Sequence, residues 1–348
     1  MAPLLRIPPK LERPLLQLLV GAPAPVLRRI IGEPIRSPDG LELDPQLQML
    51  LRMMKINGEP ELFEGTVASA RRRMERSARV MDYLDVPGVT TEDIQVGGGD
   101  GPRAARVFRP RRRGRGGLVW FHGGGFVLGS IRSHEGLCRA LAERAEVTVV
   151  SVDYRLAPEH PFPCGLEDAV AATRWVLKNA GSLGIDARSV AVGGDSAGGN
   201  MSAVVAQTLA TETLRPAFQL LVYPALDATR SEPSHSHFKE GFILTAASIA
   251  WFLDRWLPSK DLVRDPRVSP LFSTNLTGLP PALVMTAGFD PLRDEGRRYA
   301  ARLREAKNEV ELLEGAGMLH GFMNLGAVVR EAARLVGHAA DRLRRAVA

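Results

Sequence analysis

The pattern of apolar and polar positions changes character early in the chain. Up to about residue 85, apolar residues recur at helical spacing, first Leu11, Leu15, Leu18 and Ala22, then Val26, Leu27, Ile30 and Ile31. Asp44-Pro45 supplies a helix start, an N-cap acceptor followed by proline in the first turn, and Leu47, Leu50, Leu51 and Met54 then share one face. A third helix is predicted from Thr66 to about Met81. From Ile94 short β-prone runs set in: Ala105–Phe108, Leu118–Phe121, Val147–Val152, Val190–Val192, Phe218–Tyr223, Ala282–Thr286 and Val310–Leu313. After Leu118 they mostly alternate with helical stretches at Ser133–Arg144, Leu166–Ala180, Ser196–Leu209 and Leu292–Ala306, and a last helix follows His320. Near-continuous apolar strands alternating with helices predict an α/β fold whose central sheet is mostly parallel and covered on both faces. Between Ala225 and Val268 the alternation fails. That segment carries Phe242, Trp251, Phe252 and Trp256 and is too long for a plain connection, so a helical insertion is expected there.

Composition narrows the classes. The 348 residues are 45% hydrophobic, which suits a packed core. The formal charge of +6 is carried almost wholly by arginine. Arg71-Arg72-Arg73 and Arg111-Arg112-Arg113 read as solvated faces, because no nucleic-acid module accompanies them, and no nucleic-acid partner is expected. Cys138 and Cys164 make neither a disulfide framework nor a metal spacing and are expected as two reduced thiols. No apolar run approaches the roughly 18 residues that span a bilayer, so no stable membrane insertion is expected. Arg6, Lys10 and Arg13 ahead of Leu15–Val20 and Ala22-Pro23-Ala24 echo a signal peptide. The apolar stretch is short and Gln17 interrupts it, which favours the cytoplasm.

The chemistry is concentrated in a few blocks. Gly194-Asp195-Ser196-Ala197-Gly198 matches G-x-S-x-G, the sharp strand-to-helix turn that exposes a nucleophilic serine, and it follows one predicted strand and opens a predicted helix. His122-Gly123-Gly124-Gly125-Phe126 follows the strand Leu118–Phe121. It is the glycine loop whose N–H groups, with the amide of Ala197 after the nucleophile, would form an oxyanion hole. Seven histidines are present. In this architecture the base follows the serine and the acid along the chain, which removes His122, His134 and His160. His338 falls deep in an alanine-rich terminal helix, and His235 and His237 fall in the insertion with no carboxylate cluster to suggest a metal. His320, which follows a strand and opens a helix as His320-Gly321-Phe322, is the candidate base. Asp290, on the loop after the strand Ala282–Thr286, is the candidate acid. Asp227 is its rival, and Asp294, one helical turn further on, is expected to cap the helix.

Taken in order, these blocks resemble the hormone-sensitive-lipase-like group of α/β-hydrolases, the bacterial family IV esterases. The resemblance rests on His122–Phe126, on Asp153-Tyr154-Arg155-Leu156-Ala157-Pro158-Glu159-His160-Pro161-Phe162-Pro163, on Gly193–Asn200, on Asp290-Pro291-Leu292-Arg293-Asp294-Glu295-Gly296 and on His320-Gly321-Phe322, and it spans about Leu43 to the C-terminus. It implies an α/β-hydrolase fold with a helical cap, built from residues 1–85 and from 225–268, over a catalytic domain of residues 86–348. It also implies a Ser196, His320, Asp290 triad, oxyanion amides from Gly124, Gly125 and Ala197, and hydrolysis of short- and medium-chain esters without metal or cofactor. A small-molecule ester is then the expected partner, and the edge strand Val310–Leu313 is where a homodimer could pair. Two departures stand out. The first forty residues extend beyond the usual start of the family, and Leu313-Glu314-Gly315-Ala316-Gly317-Met318, expected as a loop, lacks the tyrosine-proline often found there. Cleavage of amides or N-acetyl groups is the nearest other enzymatic reading. A ligand-binding receptor like the plant gibberellin receptors resembles the family too, but such receptors lose the catalytic histidine, which this chain keeps.

Overall fold

The computed structural model of the chain describes residues 9–58, 61, 63–83 and 86–348; Arg6 lies outside them, as do the side chains of Lys10, Leu11 and Leu15. Four helices lead, α1 (Pro9–Val20), α2 (Ala24–Ile31), α3 (Pro45–Asn57) and α4 (Val67–Met81). Then come β1 (Thr90–Val96), β2 (Arg103–Arg109), β3 (Gly117–Phe121), α5 (Glu135–Ala145), β4 (Thr148–Val152), α6 (Cys164–Lys178), α7 (Ala180–Leu183), β5 (Val190–Asp195) and α8 (Ala197–Thr208). The chain ends through β6 (Phe218–Val222), α9 (Ser234–His237), α10 (Ala246–Trp256), β7 (Ala282–Phe289), α11 (Arg293–Glu305), β8 (Val310–Leu319) and α12 (Arg330–Val347). The strands form one eight-stranded sheet in the order β1-β2-β4-β3-β5-β6-β7-β8. Pairing is antiparallel for β1 with β2 and β2 with β4, and parallel from there on.

Strand periodicity divides the core. Successive side chains of a strand point to opposite faces. Along β3, Leu118 and Trp120 therefore join the layer that holds α5 and α12, while Val119 and Phe121 join the layer that holds α6 and α8. Both faces are buried, which is why β3, β4, β5 and β6 read as mostly apolar runs without polar alternation.

Three elements differ from the sequence expectation. Strand β1, Thr-Thr-Glu-Asp-Ile-Gln-Val, has little apolar signal because it is an edge strand with only Val96 fully buried. Backbone pairing to β2 and ion pairs from Arg106 to Asp93 and Arg109 to Glu92 hold it. Leu313–Met318 is not a loop: β8 runs through it, and its register against β7 shifts between Ala287 and Phe289. Strand β7 ends at Phe289 and β8 at Leu319, paired to each other, so Asp290 and His320 leave the sheet side by side. The helix expected right after His320 is a single 3₁₀ turn, Phe322–Leu325, and α12 starts only at Arg330.

The insertion is less helical than its length suggested, with α10 as its one long helix among the described residues. No helix of the described residues is long and apolar enough to cross a membrane.

The leading helices are seated by polar bonds as well as apolar burial. The Asp44 side chain accepts from the Gln46 amide and caps α3 as expected, while Leu47 and Leu50 enter the α12-side core. Gln46 is buried, and its side chain donates to the carbonyls of Val20 and Val328 and accepts from the N–H of Arg330. One amide thus ties the end of α1 and the start of α12 to α3. Gln46→Leu would remove the side-chain partner of all three backbone groups. The expected loss is about 2–4 kcal/mol of unfolding free energy, read by urea denaturation. A loss below about 0.5 kcal/mol, the level of an ordinary surface substitution, would mean that water replaces the amide.

Candidate active site

Ser196 sits where β5 turns into α8 and holds φ +55° and ψ −115°, outside the regions a non-glycine residue prefers. The turn is held from both sides, since the Ser196 N–H donates to the Val222 carbonyl and its own carbonyl accepts from Ala225 and Asn200. It is also crowded. A Cβ on Gly198 would collide with the carbonyl of Phe121, so only glycine lets α8 start this close to β3. The serine hydroxyl, fixed by its backbone, projects from the end of the sheet.

His320 meets it there. Its Nε2 lies 2.9 Å from Ser196 Oγ and its Nδ1 2.7 Å from Asp290 Oδ2. Asp290 is fully buried, and its other oxygen accepts from the N–H of Leu292 at 2.9 Å. The Tyr223 ring packs against the imidazole, with centroids 4.7 Å apart. A hydroxyl, an imidazole and a carboxylate in this line can pass the hydroxyl proton to the imidazole as the oxygen attacks a carbonyl, with the carboxylate balancing the charge that the ring gains. The rival acid is elsewhere: both Asp227 oxygens are bound by Thr229 and Ser231. Asp294 does not cap α11, whose N-cap residue is Leu292; it accepts from the Ser234 N–H and pairs with Arg293 and Arg297.

The glycine loop after β3 runs past Ser196. Gly124 and Gly125 have φ +124° and +60°, and a Cβ on Gly125 would fall inside the Phe252 ring. The insertion therefore lies directly on this loop through α10, where Trp256 also stacks on Phe126 at 3.5 Å between centroids. Ala197 is the first residue of α8, so its N–H has no acceptor within the helix.

Behind the loop lies a buried charge pair that the sequence reading passed over. Asp195, the residue before the serine, accepts from the Gly123 N–H at 2.9 Å and from His134 Nε2. His134 Nδ1 lies 2.9 Å from Ser133 Oγ. Burial opposes a charge on the His134 ring, but Asp195 outweighs it and raises the His134 pKa. Burial likewise opposes the Asp195 carboxylate, and His134 with the Gly123 amide holds it below its usual range. The neighbouring Asp82 is pushed up to about 6 by burial. His122 is also buried, and desolvation lowers it to about 3, so it is neutral and donates from Nδ1 to the Gly123 carbonyl. Asp195 and His134 thus join the Ser196 turn to the glycine loop. Their only sequence signal is the place of Asp195 inside the serine motif.

A second buried pair supports the acid's loop. His235 Nε2 is 2.8 Å from Glu295, whose carboxylate also accepts from the N–H groups of Leu226 and Asp227. Burial pushes Glu295 up to about 7. This pair fastens the first residues of the insertion to α11, immediately after Asp290. It gives His235 a packing partner rather than a metal. Among the described residues, no three His, Cys, Asp or Glu side chains gather as metal ligands would. His338 pairs with Glu311 on the far side of the sheet edge, and His160 is exposed.

Comparison with known proteins bears on the fold and the class of activity. A family profile described as alpha/beta hydrolase fold matches residues 118–324, more than half of the chain. The carboxylic ester hydrolase LipN of Mycobacterium tuberculosis is 43% identical over 297 residues, covering 82% of this chain and 78% of that one. The ethyl acetate hydrolase of Pseudomonas putida is 38% identical over 273 residues, with coverages of 76% and 85%. The hyperthermophilic esterase of the archaeon Pyrobaculum calidifontis superposes with a TM-score of 0.83 at 39% identity, over 88% of this chain and 99% of that one. Agreement of this depth, over most of the length of proteins named as esterases, makes the chain a carboxylesterase. It belongs to the hormone-sensitive-lipase-like, or bacterial family IV, esterases of the α/β-hydrolase superfamily.

Proposed function

We propose that the chain hydrolyses short- and medium-chain carboxylic esters through an acyl-enzyme on Ser196, with His320 as general base and acid and Asp290 as its partner. The observation that carries this reading is the unbroken line from Ser196 Oγ through both nitrogens of His320 to the buried Asp290 carboxylate. In the first step His320 Nε2 takes the hydroxyl proton as Oγ bonds to the ester carbonyl carbon. The carbonyl oxygen becomes an oxyanion, held by the N–H groups of Gly124, Gly125 and Ala197, each donor worth roughly 3 kcal/mol of transition-state stabilisation. His320 then returns the proton to the leaving alcohol as its C–O bond breaks. Water repeats the sequence on the acyl-enzyme, releasing the acid and restoring the serine. The Asp195–His134 pair supports this scheme by keeping the turn and the loop in register, and nothing in it calls for a metal or cofactor.

We assign the substrate-facing cover to two segments, residues 1–85 and 225–268, over a catalytic domain of residues 86–348. Their packing supports the assignment in part. Leu47 and Leu50 share one apolar cluster with Phe238, Phe242 and Ile243, while Phe252 and Trp256 belong to the other, with Phe126 and Phe162. Aromatic side chains seated on the oxyanion loop favour apolar acyl or alcohol groups of limited bulk, and the relative named for ethyl acetate supports the short end of the range. We further propose that β8, an edge of the sheet, is where a second copy would pair, and that the enzyme works in the cytoplasm, which two unpaired cysteines suit.

These assignments carry four expectations. Ser196→Ala or His320→Ala should lower kcat on a p-nitrophenyl ester by roughly 10⁴–10⁶ while the circular dichroism spectrum stays unchanged; a variant keeping a tenth of the rate would move the nucleophile or base elsewhere. Asp290→Asn should cost about 10⁴ by presenting the wrong tautomer of His320, whereas Asp227→Asn should stay within a few-fold, and the reverse order would make Asp227 the acid. Across p-nitrophenyl esters from acetyl to palmitoyl, turnover should peak between acetyl and octanoyl and should not respond to EDTA. A phosphonate inhibitor should leave one adduct, on Ser196 by mass spectrometry. Highest turnover on palmitoyl would contradict the confined cover.

A further inference from the structure

We propose that α2 and the end of α3 form a docking face for anionic phospholipid bilayers, which brings the esterase to the membrane surface without crossing it. Among the described residues, the large apolar side chains that stay exposed are Leu18, Leu19, Val26, Ile30, Ile35 and Ile56, and all of them lie in the leading helices and their links. Leu18 is 72% exposed, Ile56 55% and Ile30 50%. Scattered single apolar residues need no explanation, but a set confined to one part of a fold marks a contact surface.

Hydrogen bonds hold the segments that carry the central members of the set side by side. Arg52 Nη1 donates to the Ile30 carbonyl, and Gln48 binds Glu33 and Ile35. The two segments therefore run in opposite directions, and Ile56, one helical turn past Arg52, comes level with Val26 and Ile30. Leu27 and Leu50, on the inward faces of the same helices, are buried. Among the described residues, nothing covers the apolar residues on the outer face.

The charge around them selects the occupant. Helix α2 reads Ala-Pro-Val-Leu-Arg-Arg-Ile-Ile and α3 reads Pro-Gln-Leu-Gln-Met-Leu-Leu-Arg-Met-Met-Lys-Ile-Asn. Together they hold Arg28, Arg29, Arg52 and Lys55, all exposed, and no acidic residue. Arg28 pairs with Glu42, and Glu33 lies beyond the end of α2. Cations interleaved with exposed isoleucine and valine on a helix surface suit the boundary between headgroups and acyl chains of an anionic leaflet. A second copy of the chain would bring the same cations against themselves, so charge disfavours self-association through this face. On the other side of α3, Leu47 and Leu50 share their core with Tyr223 and Phe322, the neighbours of His320. Docking would bring the enzyme to the lipid surface, where apolar esters concentrate.

The test uses the full-length protein and large unilamellar vesicles of phosphatidylcholine alone or with an equal part of phosphatidylglycerol, read by co-sedimentation at low salt. The expected result is binding that depends on phosphatidylglycerol and falls as salt rises. Arg29→Gln with Lys55→Gln should weaken it by about fivefold for each charge removed, and Ile30→Ser with Ile56→Ser by at least about tenfold. Turnover of a water-soluble acetyl ester should stay within about twofold in both double variants, the range of ordinary surface changes, which also shows that they fold. Equal binding to both vesicle types, or none to either, would overturn the proposal. So would a wild-type dimer in sedimentation velocity that Ile30→Ser with Ile56→Ser splits, since the face would then belong to a second copy.

Discussion

The backbone turn at Ser196 is the constraint around which the site is arranged. A residue at φ +55° between β5 and α8 is strained by about 1–3 kcal/mol, and it persists because its surroundings leave no other course. Its N–H is taken by Val222, its carbonyl by Ala225 and Asn200, and Gly198 lets the helix start against Phe121. The result is a hydroxyl placed by the backbone rather than by a mobile rotamer. His320 and Asp290 can then be fixed relative to it because β7 and β8 end together.

The buried charges behind the turn extend the same logic. Asp195 faces His134 and the Gly123 amide, so the segment carrying Ser196 and the segment of the glycine loop share one carboxylate. A buried ion pair contributes less net stability than its attraction suggests, because both ions lose water, but breaking one by removing a partner is expensive. Its value here is positional. The Glu295–His235 pair acts comparably on the other side, holding the start of the insertion to the helix that follows Asp290. Both pairs are fully enclosed, so their orientation is set by hydrogen bonds to backbone groups of the parts they join.

The insertion and the leading helices are tied to the rest of the fold in different ways. Phe252 lies against Gly125 so closely that a side chain there is excluded, and Trp256 stacks on Phe126. Movement of α10 would therefore be felt by the loop proposed to hold the oxyanion. The leading helices are fixed differently, through Gln46 and the apolar face of α3, which leaves their outer surface free of the catalytic core.

Much of this was legible in the sequence because it depends on short-range rules. The parallel α/β order follows from unbroken apolar strands between amphipathic helices. The serine turn and glycine loop follow from glycines that only a crowded backbone requires, and the start of α3 follows from Asp44-Pro45. What the sequence could not express was anything set by contacts between distant segments. β1 carries almost no apolar pattern because an edge strand is held by its backbone. The stretch Leu313–Met318 looks like a loop by composition and becomes strand only because β7 lies beside it. Asp290 is separated from Asp227 by the company each keeps, one beside His320 and the other closed on Thr229 and Ser231. The pairing of Asp195 with His134, and of Glu295 with His235, joins residues about sixty positions apart. Local periodicity determines which elements form; which buried charges meet is decided only when the elements pack, because a charge leaves water only where its partner already waits.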